Sequence, residues 1–213
     1  MEALPETKKV YQNHRDNQLE RILEAAEALF IRDGIDNVGM GAIADEARLA
    51  RKTIYQYFPN KQEIALAIFQ KFIAERYASF DLNQIPHGNG FQRVEYLVMD
   101  MVNLLETYPE HMRFMVEFNN LYAHEGNPVR VRQTYALGSE LFIPMIQQGI
   151  EDGSIRPDWA PDFLAAAIFN LVSGMNSRFA LLGNQVGEEF GRPALELYRE
   201  ICRIFLRGIQ TPQ

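Results

Sequence analysis

Three short apolar stripes, each at helical spacing, fall inside residues 19–61 and constrain the fold more than any other feature. Leu19, Ile22, Leu23, Ala26, Leu29 and Phe30 recur at intervals of three and four, so they share one helix face, while Glu20, Arg21, Glu24 and Glu27 face away. Asp16 or Asn17 is the candidate cap at the start, and Gly34 the left-handed stop at the end. Met40, Ile43, Ala44 and Ala47 form a second, shorter stripe. The link Arg48-Leu49-Ala50 leads into a third helix over about 51–57, with Ile54 and Phe58 pointing inward. Pro59 ends it, because proline disfavours helix at the preceding residue. Asn60 opens the next helix with Glu63 three residues on, a capping-box arrangement. Short helices joined by a tight turn predict a helix-turn-helix.

Beyond Lys61 the pattern is helical throughout, with helices expected at about 61–80, 91–107, 109–123, 128–152, 161–183 and 188–208. Pro144 is expected to kink the fourth of these. No stretch alternates with period two for long enough to predict a strand. The class is therefore all-α: an N-terminal three-helix helix-turn-helix domain joined to a larger helical bundle. The expected division is a flexible arm over 1–16, a first domain over 17–77 and a second over 78–213.

Hydrophobic residues at 47% and charged residues at 23% are ordinary for a globular chain. The first residues are polar, so no secretory signal is expected. The most apolar run, 163–175, is interrupted by Asn170 and Ser173 and is shorter than the roughly 20 residues that span a bilayer. One cysteine, Cys202, excludes an internal disulfide framework and reads as an apolar core or interface residue. A cytoplasmic location with no membrane partner follows.

The net charge of −7 disguises an uneven distribution. Residues 47–62 contain Arg48, Arg51, Lys52 and Lys61 and no acid. A small basic surface on an acidic body suits site-directed DNA binding and suits non-specific coating poorly, since the body repels phosphate. In a helix-turn-helix the third helix enters the major groove, and its outward residues here are Arg51, Lys52, Thr53, Tyr55, Gln56 and Tyr57. Arg51 has the two donors that match guanine, and Gln56 can pair with adenine. The hydroxyls of Thr53, Tyr55 and Tyr57 can donate to phosphate, and Lys61 opens a helix beside free backbone N–H groups. The alternative for Tyr55 and Tyr57 is plain packing, although two tyrosines on so short a helix need hydroxyl partners if buried.

The spacing Ile22-x-x-Ala25-Ala26-x-x-Leu29-Phe30, Gly34, Ile43-Ala44, Thr53-Ile54-Tyr55-x-Tyr57-Phe58-x-x-Lys61 closely resembles the TetR family of repressors over about residues 17–77. The segment Gly149-Ile150-Glu151-Asp152-Gly153-Ser154-Ile155-Arg156-Pro157-Asp158 resembles the family's C-terminal half. The resemblance implies an Ω-shaped homodimer of all-helical subunits, paired through the last two helices. Each subunit would have a DNA-binding domain and a larger domain for a small-molecule effector that releases DNA. By position, the family's phosphate and base contacts carry over to Arg51, Lys52, Thr53, Tyr55, Gln56, Tyr57 and Lys61. Three places depart from the pattern. Val38-Gly39 replaces the usual hydroxyl residue before the second helix, Arg48 the usual turn glycine, and Ala50 the usual serine cap. Arg48 either reaches a phosphate or is tolerated in a looser turn.

The bundle is rich in Phe, Tyr and Met between 91 and 145, which serve equally as core or as the lining of an apolar or aromatic effector site. Phe114, Glu117, Phe118, Asn170, Met175 and Arg178 are the candidate effector residues. Enzyme chemistry finds little support. His14, His87, His111 and His124 lack metal-ligand spacing, and no G-x-S-x-G motif occurs. The 87–90 HGNG loop follows no strand, and Ile85 and Pro86 break the calcium-loop hint at Asp81-Leu82-Asn83. No metal or cofactor is expected. A helical scaffold protein is the other alternative, but it would not require the acid-free window or the paired tyrosines.

Overall fold

The structure, a computed structural model, describes residues 6–79, 87–125 and 128–212, with backbone alone at 6–14, 77–79, 124, 125, 128, 129, 132 and 137. The first five residues, the 81–86 segment, the Gly126-Asn127 break and the side chains of His14 and His124 lie outside that description. Among the described residues eleven helices follow one another: α1 (Glu6–Asp33), α2 (Met40–Glu46), α3 (Arg51–Tyr57), α4 (Lys61–Ser79), α5 (Gly90–Thr107), α6 (Pro109–Glu125), α7 (Pro128–Glu140), α8 (Ile143–Glu151), α9 (Pro161–Leu182), α10 (Gln185–Phe190) and α11 (Ala194–Ile209). Among the described residues the only β pairing is an isolated bridge between Ile155 and Gln210.

Three expectations are corrected. α1 begins at Glu6, well before Asp16. No glycine or proline lies between Glu6 and Asp33, so nothing in the chain stops the helix from extending back. The single kinked helix expected over 128–152 is two helices: α7 ends at Glu140 and α8 restarts at Ile143 with Pro144 in its first turn. There the missing N–H of proline removes no helical bond. The helix expected over 188–208 is also two. Gly191 closes α10 at φ 63°, and Pro193 stands at the N-cap position of α11 without a side-chain cap.

The chain packs as two compact units, Met1–Ala74 with Glu117–Gly126, and Glu75–Val116 with Asn127–Gln213. In the first, the apolar stripes become one core: Ile22, Ala26, Phe30, Ile43, Ile54, Ile64 and Phe69 are all completely buried. Phe118 joins it, its ring centroid 4.5 Å from that of Phe69.

The second unit is built on α5, α8, α9 and α11. Phe179 stacks on Tyr198 at 4.8 Å, and the buried Tyr198 hydroxyl donates to Val172 O at 2.8 Å. Burial pushes the Cys202 thiol up to about 11, so it is an inert core residue at neutral pH. Gly90 and Gly149 let α5 and α8 cross almost backbone to backbone: a Cβ on Gly90 would lie 2.1 Å from Gly149 N. The open end of α5 is then fully satisfied. Gly90 N–H donates to Asp152 Oδ2, Phe91 N–H to Ser154 Oγ and Gln92 N–H to Asn89 Oδ1. Bonds to Asp152, with the Ser154 hydroxyl the strongest influence, hold its carboxyl below the ordinary carboxylate range. The 149–158 segment singled out in the sequence is thus the clasp that joins α8 to α5. Among the described residues of this unit, one polar side-chain atom is buried without a partner, Asn176 Oδ1; the Nδ2 of the same side chain donates to Met101 O at 3.2 Å.

Candidate nucleic-acid interface

α3 is seven residues long and buries only one of them, Ile54. One anchor on so short a helix leaves the other side chains outside the core. Arg51, Lys52, Tyr55 and Gln56 are exposed, Tyr55 at 46% despite its aromatic ring, and Thr53 is half-buried. The Arg51 guanidinium sits 5.8 Å from the Tyr55 ring centroid, one helical turn on, and its Nη2 is 3.5 Å from the Tyr55 hydroxyl. The acid-free window of the sequence is therefore an outward, cationic helix face.

Tyr57 and Lys61 occupy different surroundings. Tyr57 is half-buried, and its hydroxyl donates to Gln18 Oε1 at 2.9 Å and Arg15 O at 3.2 Å. Lys61 Nζ donates to Ile35 O at 2.7 Å and Asp36 O at 2.8 Å, tying the start of α4 to the α1–α2 corner. Asn60 Oδ1 accepts from Glu63 N–H at 2.9 Å, the expected cap. Lys61→Met should therefore lower the unfolding free energy by about 1 kcal/mol, the net worth of hydrogen bonds to a half-exposed charged group. Urea denaturation that shows no loss would free the ammonium for phosphate alone.

The turn between α2 and α3 carries the departures noted in the sequence. Gly39 and Ala50 stand at the N-caps of α2 and α3 without side-chain caps. Leu49 N–H donates to Ala44 O at 2.9 Å and Arg48 N–H to Asp45 O at 3.1 Å, which is a Schellman closure of α2. Arg48 holds its left-handed position, at φ 52°, and its side chain is exposed. Arg21, read from the sequence as an outward residue of α1, donates from Nη2 to Ala47 O at 2.6 Å and to Arg48 O at 3.1 Å. Its lone positive charge among Glu20, Glu24 and Glu27, set against two uncapped helix starts, is the sequence signal that could have found it.

The six candidate effector residues fall in both units. Phe118 packs with Phe69 and, at 4.5 Å, with Tyr122 in the first unit. Glu117 sits there too, its Oε2 beside Gly34. In the second unit Phe114 is fully buried and Met175 packs on the core. Asn170 is exposed and donates to Ala166 O at 2.8 Å, and the exposed Arg178 lies 3.5 Å from Glu189.

A model of the bacterial regulatory proteins of the tetR family matches residues 22–68, the span that holds α2, α3 and most of the first unit's core. Residues 22–68 place the chain's first unit in the TetR family. A TetR-family member is a DNA-binding transcriptional regulator and not an enzyme. The uncharacterized HTH-type transcriptional regulator YfiR of Bacillus subtilis is 24% identical over 78% of this chain and 82% of its own length. The HTH-type transcriptional repressor KstR2 of Mycobacterium tuberculosis is 21% identical over 79% of this chain and 86% of its own. The transcriptional regulator FadR of Bacillus subtilis, solved with stearoyl-CoA, superimposes with a TM-score of 0.71 over 89% of this chain and 98% of its own at 16% identity. That likeness supports the all-α TetR fold across both units. No helix among the described residues is long and apolar enough to cross a membrane.

Proposed function

We propose that this TetR-family regulator is a cytoplasmic repressor that binds a near-palindromic operator as a homodimer and leaves it when a small-molecule effector binds the second unit. The observation that carries the DNA-reading part is α3, with one buried anchor and an exposed face of Arg51, Lys52, Tyr55 and Gln56. Arg51 and Gln56 read base edges, while Lys52, Thr53 and Arg48 contact phosphate. Lys61 takes part through the third N–H of its ammonium, and Tyr57, whose single hydroxyl proton is already bound internally, by holding the end of α3 in place. The DNA-binding domain is residues 17–77, and 78–213 binds effector and pairs the subunits. Selection of bound duplexes from a random library with the full chain tests this. The expected product is an inverted repeat whose half-sites lie one helical turn or a small multiple apart, roughly 34–36 Å per turn. Recovery of no common sequence, or binding that ignores salt, would sink it.

The pairing surface is α9 with α11. Phe163, Leu181 and Ile204 are 63%, 67% and 68% exposed, large apolar side chains left in solvent by a single chain. Nothing lies within 4 Å of a Cβ built on Gly174, so a facing helix can approach closely there. Leu181→Glu with Ile204→Glu is expected to give a folded monomer by sedimentation and circular dichroism, with operator affinity lost. A dimer that survives both changes would rule this surface out.

For the effector, the buried Asn176 Oδ1 is the observation that points to a ligand. A buried acceptor without a partner costs about 1–3 kcal/mol, which a donor on a largely apolar ligand would recover. FadR, of the same fold, is solved with stearoyl-CoA, whose stearoyl chain is apolar. Such a ligand can release DNA only through its preference for one dimer form over another.

A further inference from the structure

We infer that Arg21 is a positioning residue for DNA reading: its guanidinium clamps the turn that aims α3, in place of the glycine and the caps this chain lacks. The inference rests on the DNA-reading assignment above. The Schellman closure of α2 needs its αL position filled, and glycine does this without steric strain. Here the residue is Arg48, at φ 52°. An αL backbone at a side chain with a Cβ is sterically strained, so something must hold it. The carbonyls of Ala47 and Arg48 flank that position, and Arg21 Nη2 donates to both, at 2.6 and 3.1 Å. A charge-assisted donor shared by two successive carbonyls fixes the two peptide planes on either side of Arg48. Ala50, the next N-cap, supplies no side-chain bond, so α3 receives no local alignment from its own start.

A second grip lies one turn back on the same face of α1. Gln18 Oε1 accepts from the Tyr57 hydroxyl at 2.9 Å, at the far end of α3. Residues 18 and 21 of α1 thus hold the reading helix at both ends, Gln18 at its last residue and Arg21 at the turn before its first. Between them only Ile54 of α3 is buried. The direction in which Arg51, Lys52 and Gln56 point depends on this splint, because one buried side chain leaves a short helix free to roll.

The test is operator titration of Arg21→Ala at several salt concentrations, in the natural background and in Arg48→Gly. Arg21 bonds protein carbonyls and not phosphate. Its removal should weaken operator binding by about tenfold while leaving the slope of log affinity against log salt unchanged. In the Arg48→Gly background the turn holds itself, and the same substitution should cost less than about threefold. Arg21→Lys, which keeps a charged donor, should restore binding most of the way, and it serves if the alanine variant does not fold. A salt slope that falls by about one unit per protomer would make Arg21 a phosphate ligand and overturn the inference. So would an equal weakening in both backgrounds. Amide exchange at Leu49 reads the clamp without DNA: it should quicken in Arg21→Ala. If the natural protein binds no duplex but Leu49 still responds, the DNA reading has failed and the clamp has not.

Discussion

Arg51→Ala combined with Lys52→Ala should weaken operator binding by roughly 100-fold or more at moderate salt, without weakening the fold. Each side chain is exposed and makes no bond into the core, so the change in stability should stay within about 0.5 kcal/mol. A guanidinium reading guanine contributes about 1–3 kcal/mol of discrimination at each half-site. An ammonium on phosphate adds affinity that depends on salt, about 0.9 units of slope for each phosphate it neutralises. In a dimer both effects occur twice. The single variants separate the roles. Lys52→Ala should weaken every duplex alike and flatten the salt slope. Arg51→Ala should relax preference at one base pair in each half-site. Tyr55 holds the Arg51 guanidinium 5.8 Å from its ring, so an Arg51 that reads a base would arrive already oriented. Equal weakening by both single variants on matched and mismatched duplexes would remove Arg51 as a base reader.

Gly90→Ala should be the most damaging single methyl in the second unit. The added carbon would lie 2.1 Å from Gly149 N, 2.3 Å from Gly149 Cα and 2.4 Å from Met145 O. All three are backbone atoms, so no rotamer change can relieve them, and α5 must move off α8. That movement would pull Gly90 and Phe91 N–H from Asp152 and Ser154 and loosen Phe91, Val94 and Met145 in the core. Overpacking ordinarily costs about 1–3 kcal/mol, and the broken caps add to it, so a drop of about 3 kcal/mol or more is expected. For a chain of this size that lowers the melting temperature by about 6–12 °C. Gly41→Ala is the control: nothing lies within 4 Å of its Cβ in α2, and a slight gain is expected. Equal melting temperatures for the two variants would contradict the close helix crossing.

Burial by periodicity was legible before any coordinates. Ile22, Ala26, Phe30, Ile43 and Ile54 are buried because apolar residues at helical spacing share a face, and that face must leave water. Gly34 ends α1 at φ 81°, as a residue without Cβ in that place must. The cationic face of α3 was readable for a related reason: one apolar residue in seven leaves no other way to turn the helix. The departures at Gly39, Arg48 and Ala50 were visible as missing caps. Their consequence was not visible, because capping groups from distant elements leave no periodic trace.

The sequence by itself determined an all-α chain, its helix-turn-helix and the residues of the exposed cationic face of α3, since these follow from local spacing and residue type. The tertiary structure alone decided which polar groups are already engaged. It placed Arg21 on the carbonyls of residues 47 and 48, Lys61 on those of 35 and 36, and Tyr57 on Gln18. It also placed the second half of α6 with the first unit and set Gly90 against Gly149. Hydrogen bonds and close crossings join residues dozens of positions apart. Their partners are chosen by where the folded backbone leaves carbonyls and amides unsatisfied, and no stretch of chain records that alone.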